Sequence, residues 1–411
     1  MYIKHVIIIG GGAAGFFCAV NAARMDPTLK VTIVEKGNKL LRKVRISGGG
    51  RCNVTNDCST IADMIKFYPR GAEFLKKAFH HFFTIDTINW FRERGVMLKT
   101  EADGRIFPVS NSSQTIIDCL MNEAGKYGVE IQMNKELKEL KKENDHWVLL
   151  FTDGSQMKTG RVVIATGGYP KPLQYDWLKK PGHSVEDPVP SLFTFNMPGN
   201  NITSLMGIAV PDAIVRITGS KLSETGPVLI THWGLSGPAI LRLSAWGARE
   251  LALRNYQFGI TVNWLPEYNE NSLRQKFQQL RFELAAQKLV NRNPFGLPSR
   301  LWEYLIKEVG IPEDLRWADL PAKEQNRLIK NLCLKEFNIN GKTTFKEEFV
   351  TAGGINLDEI DFNNMQSKIW PGLFFAGEVV NIDGVTGGYN FQNAWTMAWI
   401  AAKGLMESLR V

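Results

Sequence analysis

Val6-Ile7-Ile8-Ile9-Gly10-Gly11-Gly12-Ala13-Ala14-Gly15, followed by Val31-Thr32-Ile33-Val34-Glu35, reads as strand, tight turn, helix and strand. Four consecutive aliphatic residues without a charge suit a parallel strand covered on both faces. The small-residue run from Ala13 to Met25 suits a helix lying close against it. Gly10, Gly12 and Gly15 fit G-x-G-x-x-G, and Glu35 stands about 20 residues on, where a dinucleotide-binding βαβ unit keeps the acid that accepts from a ribose hydroxyl. The glycine pattern alone is a weak signal. Set between a strand and a helix, with the acid in place, it is specific.

The rest of the chain is consistent with that start. Gly71 to Arg94 is helical in pattern, Asp103-Gly104 turns into Arg105-Ile106-Phe107, and Ser112 and Ser113 cap a helix whose apolar positions are Ile116, Ile117, Leu120, Met121 and Ala124. After a strand at Val129 to Met133 comes a meander through Glu136 to Leu140, His146 to Phe151 and a turn at Asp153-Gly154. The chain then runs through Val162 to Ala165 into Thr166-Gly167-Gly168. Such a meander between parallel strands separates the flavin-type dinucleotide fold, as in glutathione reductase, from the nicotinamide type. The expected fold is therefore α/β, a Rossmann-like domain with a β-meander. Prolines crowd between Pro170 and Pro198, which places a boundary near residue 188. Residues 189–267 read as an inserted β-rich domain and 268–345 as a helical insert with a return strand. Residues 346–411 return to the first domain, through a strand ending at Gly377-Glu378 and a last helix opened by Gly387-Gly388-Tyr389-Asn390.

Composition excludes several classes. With 411 residues the chain exceeds what one core serves, and 44% hydrophobic with 22% charged residues rules out a disordered, collagenous or membrane-embedded chain. The uncharged stretch Val6 to Ala23 is broken by glycines and falls short of the about 20 apolar residues of a membrane helix, so no membrane partner is expected. A net charge of +8 is mild and its basic residues are mostly interleaved with acids, as in Lys138 to Asp145, so charge alone makes nucleic acid an improbable partner. Five cysteines are few and odd in number, which points to a reducing cytoplasm without a disulfide framework. The histidines, among them the adjacent His80 and His81, have no metal-ligand spacing. The sequence does not set the oligomeric state.

Three strings carry a closer likeness: Ser47-Gly48-Gly49-Gly50-Arg51-Cys52-Asn53, Thr231-His232-Trp233-Gly234-Leu235-Ser236-Gly237-Pro238, and Ala376-Gly377-Glu378 through Gly387-Gly388-Tyr389-Asn390. Together they resemble the BaiN/YhiN-like family of FAD-dependent oxidoreductases, which includes enzymes described as aminoacetone oxidases. The resemblance implies FAD. The helix start at Gly12, Ala13 and Ala14 suits the pyrophosphate. Glu35 would hold the adenosine ribose, with Lys36 beside it, and the main chain near Leu137 would meet adenine. Arg42, Lys43, Arg45 and Arg51 bracket the glycine run Ser47 to Asn53, which suits an anion-holding nest. Thr166, Gly167 and Gly168 end a strand at the cofactor, and Glu378 after Gly377 would accept from the ribityl chain. Gly387, Gly388, Tyr389 and Asn390 would aim amides and a helix dipole at the flavin edge that gains negative charge on reduction. Gly353-Gly354 reads equally as a flavin-side pair or a strand-end turn.

The expected reaction is hydride transfer through flavin N5, as reduction of a small organic substrate with NAD(P)H as transient donor. A single G-x-G-x-x-G leaves no second nucleotide domain for a tight NAD(P)H site. Oxidation of an amine with oxygen remains open. His232 and Tyr389 are the catalytic candidates, with His232 either a proton donor or aromatic wall, or part of a domain-junction turn. Cys52 and Cys58 raise the flavin disulfide reductases, but five residues separate them where those enzymes have four, and no histidine follows His232. A flavin-containing RNA-binding or RNA-modifying protein is a further reading, from the basic stretch Arg274 to Lys330. After Gly168-Tyr169-Pro170, relatives commonly carry Thr-Gly-Ser-Thr-Gly-Asp-Gly-Tyr. This chain has Lys171-Pro172-Leu173-Gln174-Tyr175-Asp176-Trp177, expected to leave a more open or aromatic site there.

Overall fold

The computed structural model describes residues 4–343 and 350–409. The strand-like sequence just after Thr343 and the boundary at 345/346 lie outside them. By their contacts the residues divide into two compact units, Met1–Ser191 with Lys346–Val411, and Leu192–Phe345.

The first unit is built on a five-stranded parallel sheet. β1 (His5–Ile9) and β2 (Lys30–Val34) pair in register, with Ile7 opposite Thr32 and Ile9 opposite Val34. Arg161–Ile164 lies on the other side of β1, then Leu373–Phe375, while Glu130–Gln132 extends the sheet beyond β2. The aliphatic runs are buried because both faces are covered, as a parallel sheet requires. α1 (Ala13–Met25) is buried from Ala14 to Ala23 and packs against the last helix, Tyr389–Ser408, through Phe17 and Trp395, whose rings are 5.1 Å apart. Its buried Asn21 is satisfied on both sides: Nδ2 donates to Phe17 O, and Oδ1 accepts from Trp90 Nε1.

The meander is the antiparallel sheet Leu137–Glu143, His146–Phe151 and Gln156–Thr159. Its third strand follows the Asp153-Gly154 turn directly and is too short and polar to show in the pattern. The helical stretch 71–94 is two helices, Ala72–Ala78 and Thr84–Arg92. Ser112 caps Ser113–Lys126, its side chain accepting from Gln114 N.

In the second unit a seven-stranded antiparallel sheet includes Ala209–Ile217, Ser223–Ile230, Gln257–Asn263 and Lys335–Asn340. Gln257–Asn263 pairs with Lys335–Asn340, so the helices Glu270–Glu283, Ser299–Glu308 and Ala322–Cys333 fall between two neighbouring strands. Val215 and Val262 from the sheet and Phe277, Trp302 and Trp317 from the helical stretch belong to one continuous core. The strand-rich and helical stretches thus fold as one body.

Candidate active site

The first glycine turn divides its work. Gly10 (φ +117°) lies so close to the neighbouring strand that a Cβ would meet Ala165 O, and a Cβ on Gly15 would meet Gly10 O. Gly12 is different: a Cβ there meets nothing within 4 Å. Two glycines thus permit strand and helix to touch, and the third leaves space for a ligand to approach the backbone. Gly12 caps α1 with no side-chain acceptor, and the first turn, which includes Ala13 and Ala14, has no acid. No side chain therefore caps the start of α1 and no carboxylate competes there, which is compatible with an anion. Glu35 is fixed by two amides, Gly11 N donating to Oε2 and Gly37 N to Oε1, both at 2.8 Å. Beside it opens a cavity of about 430 Å³, lined by Gly10, Glu35, Lys36, Leu137, Thr166 and Trp177 among others.

The second run takes up a conformation that only glycine adopts without strain. Gly48, Gly49 and Gly50 have φ of +59°, +68° and +84°, and Cys52 follows at +61°. Ser47 O accepts from Cys52 N at 2.9 Å, closing the loop. A Cβ on Gly49 or Gly50 meets nothing within 4 Å, so backbone amides are open here too, as an anion nest requires. The surrounding cations are largely committed elsewhere. Arg51 Nη1 donates to Glu101 Oε1 at 2.5 Å while its guanidinium lies 3.9 Å from the Phe107 ring centre. Arg45 donates to Gln114, and Arg42 is exposed at the head of its helix. Lys43 reaches Glu378 Oε2 at 2.5 Å, and Glu378 Oε1 accepts from Thr351 N at 2.9 Å. Gly377 lies against Ala14, and Gly168 against Thr351, while Gly167 has φ +73°. The nest is therefore chiefly backbone.

Before the last helix, residues 383–388 are held at four residues, Asp383, Gly384, Gly387 and Gly388. Arg70 forks onto the Asp383 carboxylate, which also accepts from Ser191 Oγ at 2.8 Å and has no exposed surface. Burial pushes the Asp383 carboxyl up, against the pull of Arg70 and Ser191. Asn390 clamps Gly384, its Oδ1 accepting from Gly384 N and its Nδ2 donating to Gly384 O, both at 2.8 Å. Gly388 N donates to Asn53 Oδ1 at 2.8 Å once the Asn53 amide is oriented to donate to Thr55 O and Ile106 O. A Cβ on Gly388 would meet Thr55 O, and Asn56 Nδ2 donates to Gly387 O at 3.1 Å. The Asn390 side chain and the Gly388 amide thus hold the loop in place at the start of the last helix. Asn390→Ala removes both clamp bonds at once. The expected result is a loss of about 1–3 kcal/mol in unfolding free energy with a shifted flavin reduction potential, read by denaturation and redox titration.

Tyr389 is buried, its ring stacked on Phe67 at 4.5 Å, and its carbonyl accepts from Tyr68 Oη at 2.7 Å. His232 belongs to the unit Leu192–Phe345, where it is exposed with its ring 4.3 Å from Trp233. Its turn is shaped by Thr231 Oγ1, which accepts from Trp233 N and Gly234 N, and by Gly234 and Gly237, where a Cβ would meet backbone. Gly353 and Gly354, at φ +132° and +126°, cross backbone of Glu186 to Pro188 and of Val379 to Val380, which is a close-packing role.

Both Cys52 and Cys58 are free thiols, and Cys52 has no exposed surface. Burial pushes its thiol up to about 12, so it has no thiolate at neutral pH. Reductive titration with dithionite is expected to consume only the electrons of the flavin, with Cys52 unalkylated in the native protein. Extra electron uptake together with a Cys52–Cys58 bridge on oxidation would restore the disulfide-reductase reading. Among the described residues no His, Cys, Asp and Glu cluster is arranged to hold a metal, and no helix is long and apolar enough to cross a membrane.

Sequence reasoning missed Arg70, Asp383 and Thr351, and gave Asn56 no role beyond its place in the motif after Asn53. Asp383 left a signal, a lone carboxylate in the otherwise uncharged stretch that flanks it from Val379 to Val385, whereas Arg70 left none.

The family model described as "HI0933-like protein Rossmann domain" matches residues 4–404. The chain is 32% identical over 412 residues to a protein of Escherichia coli (strain K12) named ribosomal RNA dihydrouridine synthase, covering 98% of each chain. It is 27% identical to the 3-dehydro-bile acid delta(4,6)-reductase of Clostridium scindens, covering 98% of this chain and all of that one (100%). Among solved structures, a 3-ketosteroid-delta4-(5alpha)-dehydrogenase from Rhodococcus jostii RHA1 superposes with a TM-score of 0.51 at 14% identity, covering 98% of each chain, a likeness of fold.

Proposed function

The chain belongs to the HI0933-like family and is an FAD-dependent oxidoreductase, and on that footing we propose that it reduces a carbon–carbon double bond conjugated to a carbonyl, with the uracil ring of ribosomal RNA as substrate. The observation that carries this reading is the 32% identity over 98% of both chains to a protein named for dihydrouridine formation. Dihydrouridine is uridine with its ring double bond reduced, and a delta(4,6)-reductase by its name also acts on double bonds. Hydride and proton addition across an electron-poor alkene is common to both.

The residues fit FAD: an uncapped helix start over Gly12, a fixed ribose acceptor in Glu35, and glycine amides open at Gly49 and Gly50. When bound, FAD supplies hydride transfer through N5, with NAD(P)H as the transient donor. The protein's own part is positioning. The uncapped start of α1 holds the pyrophosphate, Glu35 and Glu378 accept from hydroxyls, and the clamped loop 383–388 presents the amides of Tyr389 and Asn390 to the flavin edge. Tyr389 supports this by packing on Phe67. His232 is assigned the substrate-side proton. His232→Gln is expected to leave FAD binding unchanged and to lower turnover about a hundredfold, and unchanged turnover removes the assignment.

Exposed cations in the second unit support an RNA substrate. Lys288 and Arg316 face each other across an isolated bridge, Arg292, Lys323 and Arg327 are exposed, and Phe282 is 85% exposed. Like charges placed opposite one another are favourable once an anion lies between them. In the test, FAD-loaded protein, NADPH and ribosomal RNA lacking the modification yield dihydrouridine in the nucleoside digest, with retention of RNA falling as salt rises. NADPH consumption on an enone but not on RNA would move the substrate to small molecules. Bleaching of the flavin by amines alone would move the reaction to oxidation.

A further inference from the structure

The segment Lys171 to Trp177, where the sequence departs from its relatives, lies at the nucleotide end and not at a substrate opening. A 3-10 turn at Pro172–Tyr175 leads into the short helix Asp176–Lys179, and Leu173, Gln174, Asp176 and Trp177 line the same cavity as Gly10 and Glu35. The segment is tied down by aromatic residues. Tyr169 N donates to the hydroxyl of the buried Tyr175 at 3.1 Å, and the two rings meet edge to face at 5.0 Å. Lys36 Nζ lies 5.2 Å from the Tyr169 ring centre. Leu137 and Thr152, from the meander and its turn, also line the cavity.

We propose that Tyr169 to Lys180 is a cap over the adenosine end of FAD, with Trp177 packed on the purine. Gly10 and Glu35 fix where the ribose lies, and the cavity beyond them continues to Leu137 and Trp177. A flat, neutral base suits that environment, and an aromatic ring is the side chain that holds a base without reading its edges. The segment uses Tyr175 and Trp177 where relatives use a glycine-rich run, so this chain gains a base contact of its own. The inference rests on FAD as the cofactor and not on which substrate is reduced.

The test compares FAD and FMN, which share the flavin and differ in the adenylate. Apoprotein is titrated with each, and with ADP, by flavin fluorescence and calorimetry. Trp177→Ala is expected to weaken FAD and ADP binding about tenfold, leaving FMN binding and the apoprotein melting temperature unchanged. Tyr175→Phe, which removes only the acceptor for Tyr169 N, is expected to weaken FAD about threefold with FMN again unaffected. Equal losses for FAD and FMN, or an unchanged FAD affinity, overturn the cap. A shift confined to the NADPH Michaelis constant also overturns it, by placing the donor's adenosine there. A wild-type chain that binds no FAD is a different failure, that of the cofactor itself.

Discussion

Gly12→Ala yields a folded apoprotein that carries no FAD, whereas Gly15→Ala weakens the fold itself. A methyl on Gly12 meets nothing within 4 Å, so the apoprotein melts as the wild type does, and the lost space is the space a pyrophosphate needs. A methyl on Gly15 would collide with Gly10 O in the turn that joins β1 to α1, and neither backbone can move without opening the sheet. The flavin-to-protein ratio of purified material and the apoprotein melting curve separate the two outcomes. If both variants retain FAD, the glycine turn is not the pyrophosphate site.

Asp383→Ala costs about 3–5 kcal/mol of unfolding free energy, the range for removing one partner of a buried ion pair. The carboxylate has no exposed surface and the Arg70 side chain keeps only 15% of its own, so the guanidinium left behind is poorly solvated. Burial already holds the carboxyl above its ordinary range, which marks the pair as positioned at the expense of desolvation. The double replacement Arg70→Met with Asp383→Leu therefore recovers much of the loss, because it removes the charges together. Urea denaturation of the three variants reads the cycle. A loss below about 1 kcal/mol in the single variant would equate the pair with a surface one.

Legibility in the sequence followed distance along the chain. The βαβ unit was readable because its signals lie within thirty-odd residues, and its glycines have conformational reasons that spacing alone conveys. Arg51 was not, because the group that takes its charge, Glu101, lies 50 residues on. The same holds for Asn390 and Gly388, whose identities point to a flavin contact but whose hydrogen bonds serve Gly384 and Asn53. The alternating strands of Ala209–Ile217 and Gln257–Asn263 could be read. That they share a core with Phe277 and Trp302 could not, since Lys335–Asn340 returns to pair with Gln257–Asn263 only after the helices. The 171–177 departure could be read as leaving a more open or more aromatic site near Tyr175 and Trp177; which cavity it lines could not, because the tether from Tyr169 to Tyr175 shows only in the fold. Charge was the least informative signal: interleaving conceals the approach of Lys288 to Arg316, which only pairing in space creates.

The last helix has a consequence for how the protein is made. Thr55 Oγ1 donates to Gln392 Oε1 across 337 positions of sequence, and Trp395 Nε1 donates to Val54 O across 341. Until the ribosome has released Tyr389 to Ser408, Phe17 and Phe91 have no Trp395 to pack on. The core of the first unit is therefore closed only after the whole of Leu192–Phe345 has been made. A chain lacking Tyr389–Ser408 leaves the apolar seam of Phe17 and Phe91 uncovered.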